Sequence, residues 1–410
     1  MTNTVSKRAI LWNTIGSIMW AANSFVMVLF VSRATDVETV GRFSIALTTA
    51  QLLYIVGVFG SNNYQMTDFK FKYRFADYFW LKILSCGLAA VLCVAMALTT
   101  RDVLLRLYIF LLSVFMMINA FSGIYQSLFF QHNRLDLSGQ SLFFRHLLSL
   151  LAFVTVLLLT KQVVYALIAL IAVDAVCTWI WGVRQAGHFA DSGHVVDRAR
   201  LRGLVLECLP LFFSIFLMTY LLSISKYAIQ SLLDNTAQGY FGILFVPMMI
   251  VNLCSQFMLM PALKGYASQL DAVDKAPLLR TLLRQGTLIV LLTICGCCIL
   301  YAFGVPVIQM LYRVDVSAYR WDLVIILIGG GVFALCQILY YILLLQRKQL
   351  LILAVYLFVS VAATALTWTL VRLWSIRGAS IAFLLSHILL LIVYLIFTFR
   401  SIYQDSRKGL

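Results

Sequence analysis

Apolar residues run through this chain in long blocks, separated by short polar interruptions. The blocks are about 20 residues long, the length of helix that crosses roughly 30 Å of hydrocarbon. Period-two alternation, the mark of a membrane barrel strand, is absent. Backbone groups in lipid must be satisfied within their own segment, so the blocks predict helices. Twelve are expected, over 10–31, 40–60, 79–99, 104–126, 142–160, 163–183, 203–225, 240–262, 286–304, 321–345, 351–371 and 378–399. The expected fold class is all-α: a polytopic membrane protein of about 12 transmembrane helices in two six-helix bundles related by an internal repeat. The expected division is an N-terminal bundle over 1–183, a cytoplasmic linker over 184–202, a C-terminal bundle over 203–400 and a tail over 401–410. Lys7 and Arg8 precede the first block, as in a signal peptide. That block, Ile10 to Val31, is too long for a signal core and lacks a small-residue cleavage site, so it reads as a retained helix.

Composition strengthens this picture. The chain is 62% hydrophobic and 11% charged, where a soluble domain carries about 25% charge. The bilayer is its solvent. The net charge is +15. Of the 31 Lys and Arg, 21 fall at one set of helix ends, among them Lys70, Lys72, Arg74, Lys82, Arg198, Arg200 and Arg202. The positive-inside rule makes that side cytoplasmic and puts both termini there. Topology accounts for most of the basic charge, so the total calls for no nucleic-acid partner and by itself says little about an anionic substrate. The nine cysteines lie in apolar runs, and Cys295, Cys297 and Cys298 have no His, Asp or Glu near them to complete a metal site. Neither a metal nor a cofactor is expected.

An internal repeat shows at two places. Asp36, Gly41, Phe43 and Ile45 open the second helix, and Asp234, Gly239, Phe241 and Ile243 open the eighth at a constant offset of 198. Phe129-Phe130-Gln131-His132-Asn133-Arg134-Leu135 is echoed by Leu344-Leu345-Gln346-Arg347-Lys348-Gln349-Leu350 at an offset of 215. Six helices per half keep the repeats in one orientation, related by an axis along the membrane normal, the plan of carriers in which two bundles rock about a central site.

These residues also carry a family resemblance. Ser225-Lys226-Tyr-Ala-Ile through Asp234, then Gln238-Gly-Tyr-Phe-Gly-Ile-Leu-Phe-Val-Pro247 and on to Pro261, resembles the seventh and eighth helices of bacterial polysaccharide repeat-unit flippases. Val40-Gly-Arg-Phe-Ser-Ile-Ala-Leu and Gly60-Ser-Asn-Asn-Tyr-Gln-Met-Thr-Asp68 are similar too. The family belongs to the superfamily of multidrug extruders and lipid II flippases. The resemblance covers nearly the whole chain and implies an alternating-access carrier in the bacterial inner membrane, not an enzyme. The implied cargo is an undecaprenyl-pyrophosphate-linked oligosaccharide, moved to the outer leaflet for O-antigen, lipopolysaccharide or capsule assembly. The implied partners are the bilayer, that lipid-linked substrate, and the polysaccharide polymerase with its chain-length machinery.

A path for such a head group needs neutral hydrogen-bonding side chains for sugars and Arg or Lys for pyrophosphate. Candidates inside helices are Asn13, Asn23, Gln51, Tyr54, Asn119, Asn252 and Gln256. Each equally fits plain interhelical hydrogen bonding. Ionisable residues in the span are a stronger signal. Asp174 lies mid-helix and His387 is in the last helix; each is a candidate for ion coupling or a structural hydrogen bond. Glu207, a further candidate for ion coupling or a buried charge, and the Arg145–His146 pair, of which Arg145 is a candidate for the substrate path, sit nearer the cytoplasmic ends, where they could snorkel instead. Arg33 and Lys226 end the first and seventh helices on the outer side. Pro210 and Pro247 are candidate hinges or static kinks. No GxxxxGK[ST], HExxH or GxSxG motif is present. A membrane polymerase or ligase would need a substantial exterior loop, and none is expected. A multidrug or cation antiporter of the same superfamily is the nearer alternative.

Overall fold

The computed structural model describes residues 7–68, 71–189, 197–271 and 275–408. Among the described residues every regular element is a helix. Two compact units divide the chain at Phe216 and Leu217. Of the expected linker, Arg184–Ala186 and 198–202 are helical, and 190–196 lie outside the described residues.

The first unit, Met1–Phe216, carries α1 (Lys7–Ala34), α2 (Val37–Val58), α3 (Ser61–Thr67), α4 (Phe75–Thr99), α5 (Val103–Gln131), α6 (Leu135–Thr160) and α7 (Val163–Thr178). A π-helical turn, Trp179–Val183, leads into α8 (Arg184–Ala186), and α9 (Arg198–Leu232) begins in this unit. Helix α1 packs along α6, α2 along α5, and α7 on α6. The α1–α6 crossing is set by glycines. A Cβ on Gly139 would lie 2.3 Å from the carbonyl carbon of Trp12, and one on Gly16 would lie 2.5 Å from the Gly139 carbonyl oxygen. Only glycine lets the backbones approach this closely, the small-residue packing common in lipid.

The second unit, Leu217–Leu410, holds the rest of α9, then α10 (Asn235–Leu244), α11 (Val246–Asp271), α12 (Ala276–Ile299), α13 (Val305–Tyr312), α14 (Arg320–Leu345) and α15 (Gln349–Lys408). A π-helical turn at Leu300–Gly304 joins α12 to α13, and a 3-10 turn, Ser317–Tyr319, precedes α14. Helix is thus continuous from Ala276 to Tyr312, longer at both ends than the sequence pattern predicts. Pro277 falls in the first turn of α12, where a missing N–H costs nothing, and Pro306 directly follows the π-helical turn, where the hydrogen-bond ladder is already shifted, so neither breaks the run.

Eleven described helical runs are long and apolar enough to cross a membrane. The last of them is two spans. Trp374 and Ser375 leave helical geometry, Ser375 at φ 52° and ψ −129°. In a straight helix Tyr356 and Tyr394 would stand about 57 Å apart at 1.5 Å per residue. Their rings instead meet at 5.7 Å, in a core shared with Val359, Ala363 and Leu390. The chain therefore folds back on itself, and a Cβ on Gly378 would strike the Leu370 carbonyl oxygen at 1.9 Å. The fold-back restores the twelve spans that the hydrophobic pattern predicts.

The repeat has a local physical basis. Asp36 and Asp234 are both N-caps in extended conformation, of α2 and α10. The Asp234 carboxylate accepts from the Ala237 N–H at 2.7 Å, satisfying an orphan donor of the first turn. Helices α5 and α14 both close with a Schellman turn. Arg134 N donates to Phe129 O and Asn133 N to Phe130 O; Lys348 N donates to Leu343 O and Arg347 N to Leu344 O. Asn133 and Arg347 take the left-handed position at φ 57°. The structural offset is thus 214, one residue less than the letter-for-letter match of Gln131 with Gln346.

The helix crossing makes a prediction. Gly139→Ala should lower stability by roughly 1–3 kcal/mol through overpacking. Gly87→Ala, where nothing lies within 4 Å of the added atom, should be neutral or stabilising by about 0.5–1 kcal/mol. Thermal unfolding of the two variants in detergent separates them; equal effects would refute the crossing.

Candidate functional site

Helix α6 places Arg145 ten residues past its start, well inside the span, and the side chain is 1% exposed. This corrects the snorkelling expectation, since the guanidinium is turned into the unit. Arg145 Nε stands 3.0 Å from Asp174 Oδ1 on α7, and the Asp174 side chain is fully buried. The other two guanidinium nitrogens donate to α5: Nη1 to Ser122 Oγ and Nη2 to Asn119 Oδ1. Asn119 is oriented by its own Nδ2, which donates to the Phe115 carbonyl at 2.9 Å. Nη2 also lies 3.3 Å from His146 Nε2. Arginine can only donate, so Nε2 accepts and Nδ1 carries the imidazole proton. The Asn23 amide of α1 is 3.2 Å from that Nδ1, and the tautomer requires it to present its oxygen there.

Four helices therefore converge on one guanidinium. An unpaired charge in this setting costs several kcal/mol, and pairing with added hydrogen bonds makes it tolerable. What results is a locally neutral, densely hydrogen-bonded patch. The carboxylate keeps capacity: neither Asp174 oxygen has a hydrogen-bond donor among the described residues, Oδ1 being held by the ion pair alone.

A second buried cation lies near the end of α2. Lys82 of α4 is 1% exposed. Its ammonium donates to Ser61 Oγ and Asn62 Oδ1, both at 2.9 Å, and to the Val58 and Gly57 carbonyls at 3.2 and 3.4 Å. These carbonyls are left over where α2 stops at Phe59 and Gly60, both in left-handed conformation. A cation is favoured there by the helix dipole as well. The sequence pattern counts Lys82 merely among the cytoplasmic basic residues. Its i, i+20 and i, i+21 partners in Gly60–Asn62 carry no signal that hydropathy can read.

The remaining expected residues are dispersed. Gln51 Nε2 donates to Ser24 Oγ at 3.3 Å, and the Tyr54 ring lies 6.3 Å from Trp20, both across the α1–α2 contact. Asn13 is half-buried, and Arg33 is exposed at the end of α1. Glu207 is not a buried charge: its side chain is 35% exposed and it pairs with Lys72 at 2.5 Å. Tyr64 and Tyr73 donate to the same carboxylate, and Glu207 holds the Lys72 ammonium above its usual range. At the opposite ends, Arg42 joins Glu38 and Asp102. Burial pushes the Asp102 carboxyl up, but Arg42 and the Leu104 and Leu105 amides outweigh it and hold it low.

In the second unit, Lys226 lies inside α9 rather than at its end, 6% exposed, with its ammonium 4.7 Å from the centre of the Phe245 ring. Pro247 separates α10 from α11, the break falling at Phe245. Its missing N–H removes the bond to the Ile243 carbonyl. Pro210 sits inside unbroken α9. Asn252 Oδ1 is buried with no hydrogen-bond partner among the described residues, and Gln256 one turn on is exposed. His387 is fully buried, its Nδ1 2.7 Å from the Phe383 carbonyl and its ring 4.3 Å from that of Phe383.

The arrangement of these helices has counterparts among solved structures. The fold is that of the MATE transporters and of the lipid II flippase MurJ. An inward-facing multidrug resistance MATE family transporter of the MOP superfamily aligns over 98% of this chain and 99% of its own, with TM-score 0.71 at 12% identity. MurJ in an inward closed conformation aligns over 97% and 90%, with TM-score 0.71 at 12% identity. The Vibrio cholerae MATE transporter VcmN in its bent form aligns over 98% of this chain and 97% of its own, with TM-score 0.61 at 13% identity. No protein-family model matches the sequence, and no curated protein matches it.

The ion pair can be tested by a mutant cycle. Asp174→Leu strands a buried guanidinium and Arg145→Met strands a buried carboxylate; each should cost about 3–5 kcal/mol. The double variant should recover most of that loss. Denaturant unfolding in detergent measures all three, and additive losses would contradict the pairing.

Proposed function

We propose that the chain is a flippase. It carries undecaprenyl-pyrophosphate-linked oligosaccharide repeat units from the cytoplasmic to the outer leaflet of the bacterial inner membrane by alternating access, for O-antigen or capsule assembly. Both termini are cytoplasmic in this reading, the 184–202 segment links the halves, and Pro210 and Pro247 serve as hinges. The observation that carries it is the state of Asp174. A cation exporter draws its substrate with an uncompensated deep carboxylate. Here the carboxylate is matched by Arg145 at 3.0 Å, whose guanidinium is in turn engaged by Asn119, Ser122 and His146, with Asn23 reaching it through His146. Neutral amides, hydroxyls and an imidazole are the groups that hydrogen-bond sugars. The fold shared with MurJ and the family resemblance at Gly60–Asp68 and Gln238–Pro247 support the same reading.

The second reading, a multidrug or cation antiporter, is favoured by the MATE neighbours and by the free Oδ2 of Asp174 among the described residues.

A cell lacking the chain separates them. The flippase reading predicts intact lipid-linked repeat units accumulating on the inner leaflet, with loss of surface polymer and unchanged resistance to cationic dyes. Repeat units that reach the outer leaflet but stay unpolymerised would make the chain an assembly enzyme. Normal polymer with heightened dye sensitivity would make it an antiporter.

A further inference from the structure

At one end of the first unit, the loop before α4 and the C-terminus of α5 enclose a cavity of about 290 Å³. Its walls include Phe71, Arg74, Phe75, Gln131, His132 and Phe189. The loop is tied down from within. Asp68 accepts from the Lys72 N–H at 2.9 Å, the Tyr73 N–H at 3.1 Å and the Tyr78 hydroxyl at 2.9 Å. Gln131 Nε2 donates to the Asp68 carbonyl at 3.0 Å, fastening the loop to α5. The walls are thus built on fixed supports.

The chemistry of the lining is specific. The His132 ring stands 5.6 Å from Phe71 and 5.4 Å from Phe189, so three rings border one space. His132 Nδ1 lies 3.0 Å from the Leu128 carbonyl, which only an N–H can satisfy, leaving Nε2 as an acceptor. Phe71 is 55% exposed and holds φ 51°, a left-handed conformation that a bulky residue rarely adopts. Among the described residues two cations of this region are already engaged: Lys72 by Glu207 at 2.5 Å, Arg200 by Asp197 at 3.4 Å. Arg74 is exposed, and among the described residues its guanidinium meets no carboxylate. A planar fork of donors therefore stands free beside an aromatic pocket.

We propose that this pocket binds a single phosphorylated sugar. The C–H face of a pyranose lies on the aromatic walls, a ring hydroxyl donates to His132 Nε2, and the phosphate takes the Arg74 fork. The volume sits at the low end of ligand pockets, roughly 300–1,000 Å³, which admits one ring and excludes a whole repeat unit. The proposal deepens the flippase reading and rests on it for its biological sense: the pocket lies at the end that the Lys and Arg distribution assigns to the cytoplasm, where a lipid-linked head group first presents its phosphate-linked sugar.

The test uses the full-length protein in nanodiscs, titrated with glucose 1-phosphate by calorimetry. Binding is expected, with Arg74→Gln and Phe71→Ala each weakening it about tenfold and Lys72→Gln leaving it within about twofold. Glucose alone and inorganic phosphate alone should each bind more weakly than the conjugate. Absent binding, or equal binding in wild type and the Arg74 and Phe71 variants, overturns the pocket. So does an equal loss in Lys72→Gln, which would mark nonspecific charge attraction. Competition by a polyprenyl-pyrophosphoryl sugar placed in the nanodisc assigns the site to the lipid head group; binding without competition assigns it to a soluble sugar phosphate, with the pocket intact. If glucose 1-phosphate fails to bind while cells still flip repeat units, the pocket falls and the flippase reading survives.

Discussion

Arg145 and Asp174 face each other at 3.0 Å, both side chains buried inside the first unit. In that setting a full charge demands a complete set of partners. The guanidinium recruits them from α5, α6 and α7 directly and from α1 through His146. The α1–α6 approach is close enough to deliver Asn23 only because Gly16 and Gly139 leave the backbones unobstructed. Lys82 obeys the same rule at the end of α2, where the carbonyls that a helix stop leaves unsatisfied become its ligands. Polar satisfaction, more than apolar packing, fixes the register of helices whose surroundings are as apolar as their own side chains.

Much of the fold was legible in the sequence because a bilayer imposes one length and one secondary structure on every apolar block. The helix openings at Asp36 and Asp234 were legible for an equally local reason: the Asp234 carboxylate meets the Ala237 N–H, and that of Asp36 the Thr39 hydroxyl, three residues on. What failed to show were features decided at long range. Arg145 and Lys82 look like end-of-helix cations by position, and only partners on other helices reveal them as buried. Pro306 looks like a loop residue until its place just after the π-helical turn of a continuous run is seen. The offset of 214 at the second repeat is set by which residue takes the left-handed position, and Asn133 and Arg347 do not resemble each other as letters.

The candidate site was half visible. Asn23, Asn119 and Asp174 were each identifiable as costly in lipid, and the structure brings them together around Arg145. That they cancel one another was not readable, yet the cancellation shapes the functional argument. A lone Asp174 would suit a cation; in the proposed flippase reading an Asp174 matched by arginine, whose guanidinium is engaged by Asn119 and Ser122, leaves no net charge there to draw one. Glu207, another carboxylate in α9, is turned to the Lys72, Tyr64 and Tyr73 cluster and leaves the interior of the span without an uncompensated acid from that helix.

The direct measurement is transport by the purified chain in proteoliposomes, offered a fluorescent polyprenyl-pyrophosphoryl oligosaccharide and a cationic dye in parallel. The account predicts that the lipid-linked sugar becomes accessible to an enzyme confined to the opposite side, while the dye stays put under an imposed proton or sodium gradient. Gradient-driven movement of the dye, with the lipid-linked sugar held in its original leaflet, would contradict it.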